Sequence, residues 1–102
     1  MSKHRVAGTE DLAPGGGMPV IAGGKQIALF NVGGTYHAIG NICSHWGGAL
    51  GDGSLHGETV VCPYHGAQFN VCTGRVVAPP AKEGVPVYPV TVEADEVFVE
   101  VE

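Results

Sequence analysis

Glycine and proline set the grain of this sequence. Its 102 residues include 17 glycines and 7 prolines, which cut the apolar residues into short runs. No stretch spaces its apolar residues at the 3.6-residue period of a helix, and no segment repeats another. The surviving runs are rich in Val, Ile, Phe and Tyr, whose branched or flat side chains suit a pleated, half-buried surface. The chain reads as all-β. Lys25 to Val32 is expected as a strand, Gly33-Gly34 as a two-residue turn and Thr35 to Ile39 as the returning strand. Val85 to Glu93 and Val97 to Val101 are expected to flank a turn at Ala94-Asp95-Glu96. In the second of these, Val97, Val99 and Val101 share one face and Phe98, Glu100 and Glu102 the other, which suits a sheet with one side in a core. Further loops are marked by Pro14-Gly15-Gly16-Gly17 and by Pro79-Pro80.

The length has room for one domain, 1–102, whose core is small enough to gain from a metal staple. A formal net charge of -5 argues against nucleic acid, because phosphate binding requires clustered Lys and Arg. There is no apolar leader at the N-terminus and no apolar run of membrane-spanning length, so a cytoplasmic, soluble chain away from membranes is expected. The three cysteines, Cys43, Cys62 and Cys72, are an odd count in such a chain and point to metal or redox use rather than disulfides.

Between the two hairpins, from Asn41 to about Thr73, lie all three cysteines, three of the five histidines and the single Trp. Two motifs stand out: Cys43-Ser44-His45, a C-x-H, and Cys62-Pro63-Tyr64-His65, a C-x-x-H. Each offers one soft thiolate and one imidazole on a tight turn, so two facing loops could supply four metal ligands. Gly47, Gly48 and Gly66 follow closely, where a missing Cβ lets the backbone turn sharply beside an inorganic core. Two Cys and two His could also hold a structural zinc, although common zinc spacings pair Cys with Cys and His with His.

The stretches Cys43-Ser44-His45-Trp46-Gly47-Gly48 and Cys62-Pro63-Tyr64-His65-Gly66 resemble the Rieske family. The similarity extends to Phe69-Asn70-Val71-Cys72-Thr73-Gly74-Arg75 and Pro86-Val87-Tyr88-Pro89-Val90, which match bacterial Rieske-type ferredoxins of aromatic-ring-hydroxylating dioxygenase systems. The resemblance implies an antiparallel β sandwich with a loop-built cluster-binding subdomain. It implies one 2Fe–2S cluster per chain, with Cys43 and Cys62 on one iron and His45 and His65 on the other. Two ferric ions, two sulfides and two thiolates with neutral histidines carry no net charge, whereas four thiolates would make the core a dianion. An electron enters the neutral core more easily. The implied role is that of a one-electron carrier and not an enzyme. It would be a monomer passing electrons from a flavin-dependent reductase to a terminal oxygenase. A small subunit of a nitrite-reductase-type assembly is the alternative.

The resemblance goes to one branch. Respiratory-chain members carry an extra cysteine in each cluster loop, forming a disulfide; the matching positions here are Gly48 and Tyr64. They also carry a serine and a tyrosine whose hydroxyls bond the cluster sulfurs, and here Ala67 and Phe69 stand instead. Val77-Ala78-Pro79-Pro80-Ala81 resembles the proline-containing loop that shields the cluster, or is a plain rigid connection. Cys72 is expected as a small buried side chain in a strand. His4, His37 and His56 read as surface or scaffold residues, and Trp46 as packing under a cluster loop or sitting on a docking rim. The acidic residues Glu93, Asp95, Glu96, Glu100 and Glu102 read as a solvated sheet edge.

Overall fold

The computed structural model describes residues 2–41, 50–63, 66–78 and 84–101. Three antiparallel sheets account for nearly all of the regular structure among them. The first contains β1 (Ser2–Gly8), β11 (Glu96–Val101) and β10 (Val90–Glu93), in that order. The central sheet runs β2 (Gly17–Ala22), β3 (Lys25–Val32), β4 (Thr35–Gly40) and β9 (Val87–Tyr88). The third runs β5 (Ser54–His56), β6 (Thr59–Val61), β7 (Gln68–Asn70) and β8 (Val76–Ala78).

Strand β3 explains the layering. Its side chains alternate by the period of two that a strand imposes, and both faces are buried. Ala28 and Phe30 enter one core with Ile39, Leu50, Val60, Cys62, Ala67, Phe69 and Val71. Ile27 and Leu29 enter another with Val20, Ala38, Val97, Val99 and Val101. The central sheet is thus the middle layer, with the third sheet on one face and the first on the other.

The expected hairpin of β3 and β4 is present, and both Gly33 and Gly34 take positive φ, as a two-residue hairpin turn of the favoured hand requires. Asn31 braces it: its side chain accepts from the Gly34 amide and donates to the Leu12 carbonyl. The expected strand Val85 to Glu93 is instead two strands. Val87 pairs with Ile39 in the central sheet, and Val90 pairs with Val99 in the first. Pro89 stands at the break; it has no amide to give a ladder, and its carbonyl accepts from Glu100. Gly17, expected in a loop, opens β2 face-on to Phe30, whose ring a Cβ would meet at 2.6 Å. The segment expected to be loop-built contains β5, β6 and β7, which pair within the third sheet.

Cys72 corrects another expectation. It lies in a turn, not a strand, because Asn70 Oδ1 accepts from the amides of Cys72 and Thr73 and reverses the chain. Its Sγ is half-buried, 3.5 Å from His37 Nε2.

Candidate metal centre

Strands β6 and β7 pair in register from Thr59–Asn70 to Val61–Gln68, and the hairpin continues past the ladder to its tip. There the Cys62 amide donates to the Ala67 carbonyl at 2.7 Å, and the Gly66 amide donates back to the Cys62 carbonyl at 3.2 Å. Pro63 follows Cys62; Tyr64 and His65 lie outside the described residues. Cys62 is 2% exposed and shares its core with Leu50, Ala67 and Phe69. Its thiol is therefore shielded from bulk water, which suits a soft metal ligand.

Cys43 and His45 lie outside the described residues, as do Trp46, Gly47 and Gly48. Both ends of the segment that carries them are described. Asn41 follows β4, and its carbonyl accepts from Leu50 at 2.7 Å while its Oδ1 accepts from Gly51 at 2.8 Å. Asn41 and Leu50, which stand on either side of residues 42–49 in the sequence, therefore lie against each other. Leu50 is fully buried in the same core as Cys62. Leu50, which follows the first motif in the sequence, and Cys62 of the second motif thus share one core.

A third segment is gathered at its base in the same way. The Val85 amide donates to the Gly74 carbonyl at 2.8 Å, and Gly84 passes so close that a Cβ there would lie 2.4 Å from that oxygen. Between these points runs β8 and then the proline pair, with residues 79–83 outside the description.

Ala67 and Phe69, where the respiratory branch has hydroxyls, are fully buried. The acidic C-terminal residues belong elsewhere. Glu93 pairs with Lys3, which also lies over the Phe98 ring, and Glu96 pairs with Arg5 at 3.0 Å. All of these sit on the first sheet, across the middle layer from Cys62.

Two signals in the sequence went unread: an Asn at the base of the first motif segment, and Asn70-Val71-Cys72-Thr73-Gly74, whose turn chemistry places Cys72.

A C-x-H and a C-x-x-H motif in the sequence, on an antiparallel three-sheet fold with the Cys62 thiol buried at a hairpin tip, define an iron–sulfur protein of the Rieske class. The chain belongs to the Rieske 2Fe-2S domain family, whose profile it matches over residues 2–89, and its cofactor is a Rieske 2Fe–2S cluster. It is 36% identical over 93 residues to the ferredoxin component of the naphthalene 1,2-dioxygenase/salicylate 5-hydroxylase systems of Ralstonia sp., covering 91% of this chain and 89% of that one. The ferredoxin of carbazole 1,9a-dioxygenase from Nocardioides aromaticivorans IC177 superimposes with a TM-score of 0.94 at 32% identity, over 100% of both chains. A complex of reduced oxygenase and oxidized ferredoxin in carbazole 1,9a-dioxygenase matches with a TM-score of 0.89 at 32% identity, over 98% of this chain and 97% of that one. Within the family this chain is an electron-transfer component of the ferredoxin kind and not a catalytic subunit. The zinc alternative is set aside by the same match. Among the described residues no helix is long and apolar enough to cross a membrane.

Proposed function

We propose that Cys43 and Cys62 hold one iron of the cluster and His45 and His65 the other. On this reading the chain is a cytoplasmic monomer of one domain, 1–102, with its cluster-bearing segment at about 41–73. It takes single electrons from a flavin-dependent reductase and delivers them to the terminal oxygenase of an aromatic-ring-hydroxylating dioxygenase.

One observation supports the ligand assignment: Leu50, which follows the first motif in the sequence, shares a core with Cys62 of the second. The donor set also fits the role. Two neutral imidazoles leave the oxidised core uncharged, and ring edges give an electron a shorter route to a partner than thiolates do. The oxygenase assignment is supported by the relative found in complex with its oxygenase.

The test combines composition with transfer. The purified protein should contain two irons and two acid-labile sulfides per chain, as a 2Fe–2S centre requires. Reduced anaerobically and mixed with a ring-hydroxylating oxygenase, it should be reoxidised within the oxygenase's turnover time. His45→Ala and His65→Ala should each abolish the native spectrum, since each leaves an iron one ligand short. A His45→Ala protein with the wild-type spectrum sinks the ligand set; a loaded wild-type protein that no such oxygenase reoxidises sinks the carrier assignment.

A further inference from the structure

Gly53 is closely packed for a reason other than its torsion. It takes no left-handed φ, so its own backbone does not call for glycine, yet a Cβ there would lie 2.2 Å from the Val61 carbonyl oxygen. That carbonyl belongs to the peptide that leads into Cys62. We infer that Gly53 is a positioning residue for the cluster: backed by the 3-10 turn Leu50–Asp52, it sets where Cys62 is held. This inference rests on Cys62 being an iron ligand, as proposed above.

The geometry carries it in three steps. First, the Val61–Cys62 peptide is held on both sides. Its carbonyl lies against Gly53, and its amide donates to the Ala67 carbonyl at 2.7 Å. A peptide unit is planar, so its carbonyl cannot be displaced without tilting its amide and carrying Cys62 along. Second, the strand register agrees. Ser54 pairs with Val61, Leu55 with Val60 and His56 with Thr59, and one further step sets Gly53 alongside Cys62. Third, Gly53 is backed. Its amide donates to the Leu50 carbonyl at 3.0 Å, and Leu50 is fully buried in the core that holds Cys62. Gly51 lies so close to β2 that a Cβ there would stand 2.5 Å from the Pro19 nitrogen, and its amide donates to Asn41 Oδ1 at 2.8 Å. The turn is braced on β2 of the middle layer and bears on β6 of the third sheet.

A methyl group added at position 53 has two ways out. Either β5, an edge strand, swings outward with residue 53, or the Val61–Cys62 peptide tilts. The first route breaks the bond to Leu50 and unseats the brace on β2; the second breaks neither. The strain therefore goes to Cys62. A glycine that merely eased close packing at a sheet edge would be relieved by the edge strand and would leave Cys62 where it is.

The experiment uses the intact cluster-loaded protein. Gly53→Ala sets a methyl group against Val61. Gly57→Ala, between β5 and β6 at φ +61°, strains the other end of the same two strands, and its Cβ meets nothing within 4 Å among the described residues. Both variants should unfold at lower urea. Only Gly53→Ala should shift the electron paramagnetic resonance g-values and the reduction potential, while the amide of residue 53 keeps its wild-type hydrogen exchange. Wild-type g-values and potential in Gly53→Ala overturn the inference, and so does an equal shift in Gly57→Ala. Exchange about tenfold faster at residue 53, the loss of one net hydrogen bond, also overturns it, because the turn would then have yielded in place of the Cys62 peptide. Where Gly53→Ala fails to fold, Leu50→Val and Ile39→Val decide. Each takes one carbon from the core that holds Cys62, but only Leu50 braces the turn. Leu50→Val should shift the g-values and Ile39→Val should not; equal g-values in the two overturn the inference. Cys62→Ala, run beside them, tests the ligand reading separately: a native spectrum there defeats that reading, while exchange at residue 53 still reports which side of the contact yields.

Discussion

The Cys62 amide and the Ala67 carbonyl meet at 2.7 Å, so the thiol-bearing residue and the residue lacking a hydroxyl close the same hairpin tip. Their side chains share one core and are both shut off from solvent. No side-chain donor at position 67 is available to a cluster sulfur. A donor hydrogen bond there favours the reduced, electron-rich core over the oxidised one and raises the potential. A hydrogen bond to a charged group is worth roughly 1.5–3 kcal/mol. Only its difference between oxidation states counts, about 1 kcal/mol, or on the order of 40 mV for one electron. Ala67→Ser should raise the potential by tens of millivolts with the cluster retained. Voltammetry on the variant decides it, and an unchanged or lower potential with a normal spectrum refutes it.

Two glycines near the site share a backbone conformation and differ in surroundings, so their alanine variants should separate two costs. Gly66 has φ +73° with nothing among the described residues within 4 Å of an added Cβ, whereas Gly74 has φ +74° and its Cβ would lie 2.2 Å from the Val85 carbonyl oxygen. Gly66→Ala should cost only the left-handed penalty, about 1–2 kcal/mol. Gly74→Ala adds a backbone collision and breaks the Val85–Gly74 closure, so its cost should exceed that of Gly66→Ala by at least about 1 kcal/mol. Urea denaturation midpoints of the two variants give the comparison. Equal losses would mean that the third segment shifts freely at its base.

Strand β3 was legible because residues Ile27 to Phe30 are apolar on both faces and a Gly-Gly turn follows, so local pattern and tertiary burial agree. The strand β1 was not. Ser2-Lys3-His4-Arg5-Val6-Ala7-Gly8 reads as polar, and only Ala7 is buried; the strand exists because β11 offers it a ladder and Glu93 and Glu96 meet its two cations. Pro19 sits within β2, where an edge position tolerates a missing amide, and Pro89 divides what periodicity made one strand between two sheets. The site divides the same way. Cysteine and histidine spacing marks the ligand candidates directly, because coordination chemistry restricts residue type. The meeting of Asn41 with Leu50 and Gly51 does not show in spacing, because Asn41 accepts from amides nine and ten residues further on.

Ala94 occupies a position where a side chain is a burden. It and Asp95 form the two-residue turn between β10 and β11, at φ 50° and 64°. Asp tolerates that region better than Ala, and Gly tolerates it best. Ala94→Gly should stabilise the folded state by roughly 0.5–1 kcal/mol, the left-handed penalty less the extra unfolded-state entropy of Gly. A thermal midpoint that falls would show that the turn relaxes some other way.

The acidic residues of the first sheet should have little influence on docking. Glu93 and Glu96 are already paired with Lys3 and Arg5, and the middle layer separates them from Cys62. At a Debye length of about 8 Å their fields are screened before they reach the opposite face. Glu93→Gln together with Glu96→Gln should leave the rate of electron transfer to the oxygenase, and its salt dependence, unchanged in stopped-flow mixing. A clear loss of salt dependence would place the docking surface on this sheet.

Cys72 supplies the pH test. Its thiol lies between His37 and Glu58, and its pKa is raised from 9.0 to about 11, first by burial and then by the hydrogen bond and charge of Glu58. The unfolded chain releases this proton near its ordinary pKa while the folded chain holds it. Between those two values the unfolded state binds fewer protons, so stability must fall as pH rises. The contribution is complete below pH 9 and is lost progressively toward pH 11. Cys72→Ser removes the titrating group and should flatten that part of the profile, seen as a smaller alkaline drop in the urea midpoint than the wild type shows. Alkylation gives an independent reading, because only the thiolate attacks iodoacetamide. In the cluster-loaded protein, the rate at Cys72 should climb toward pH 11 and not level off near 9, and Glu58→Gln should bring the climb to lower pH. A rate that levels off near pH 9 in the wild type would show that neither burial nor Glu58 restrains this thiol.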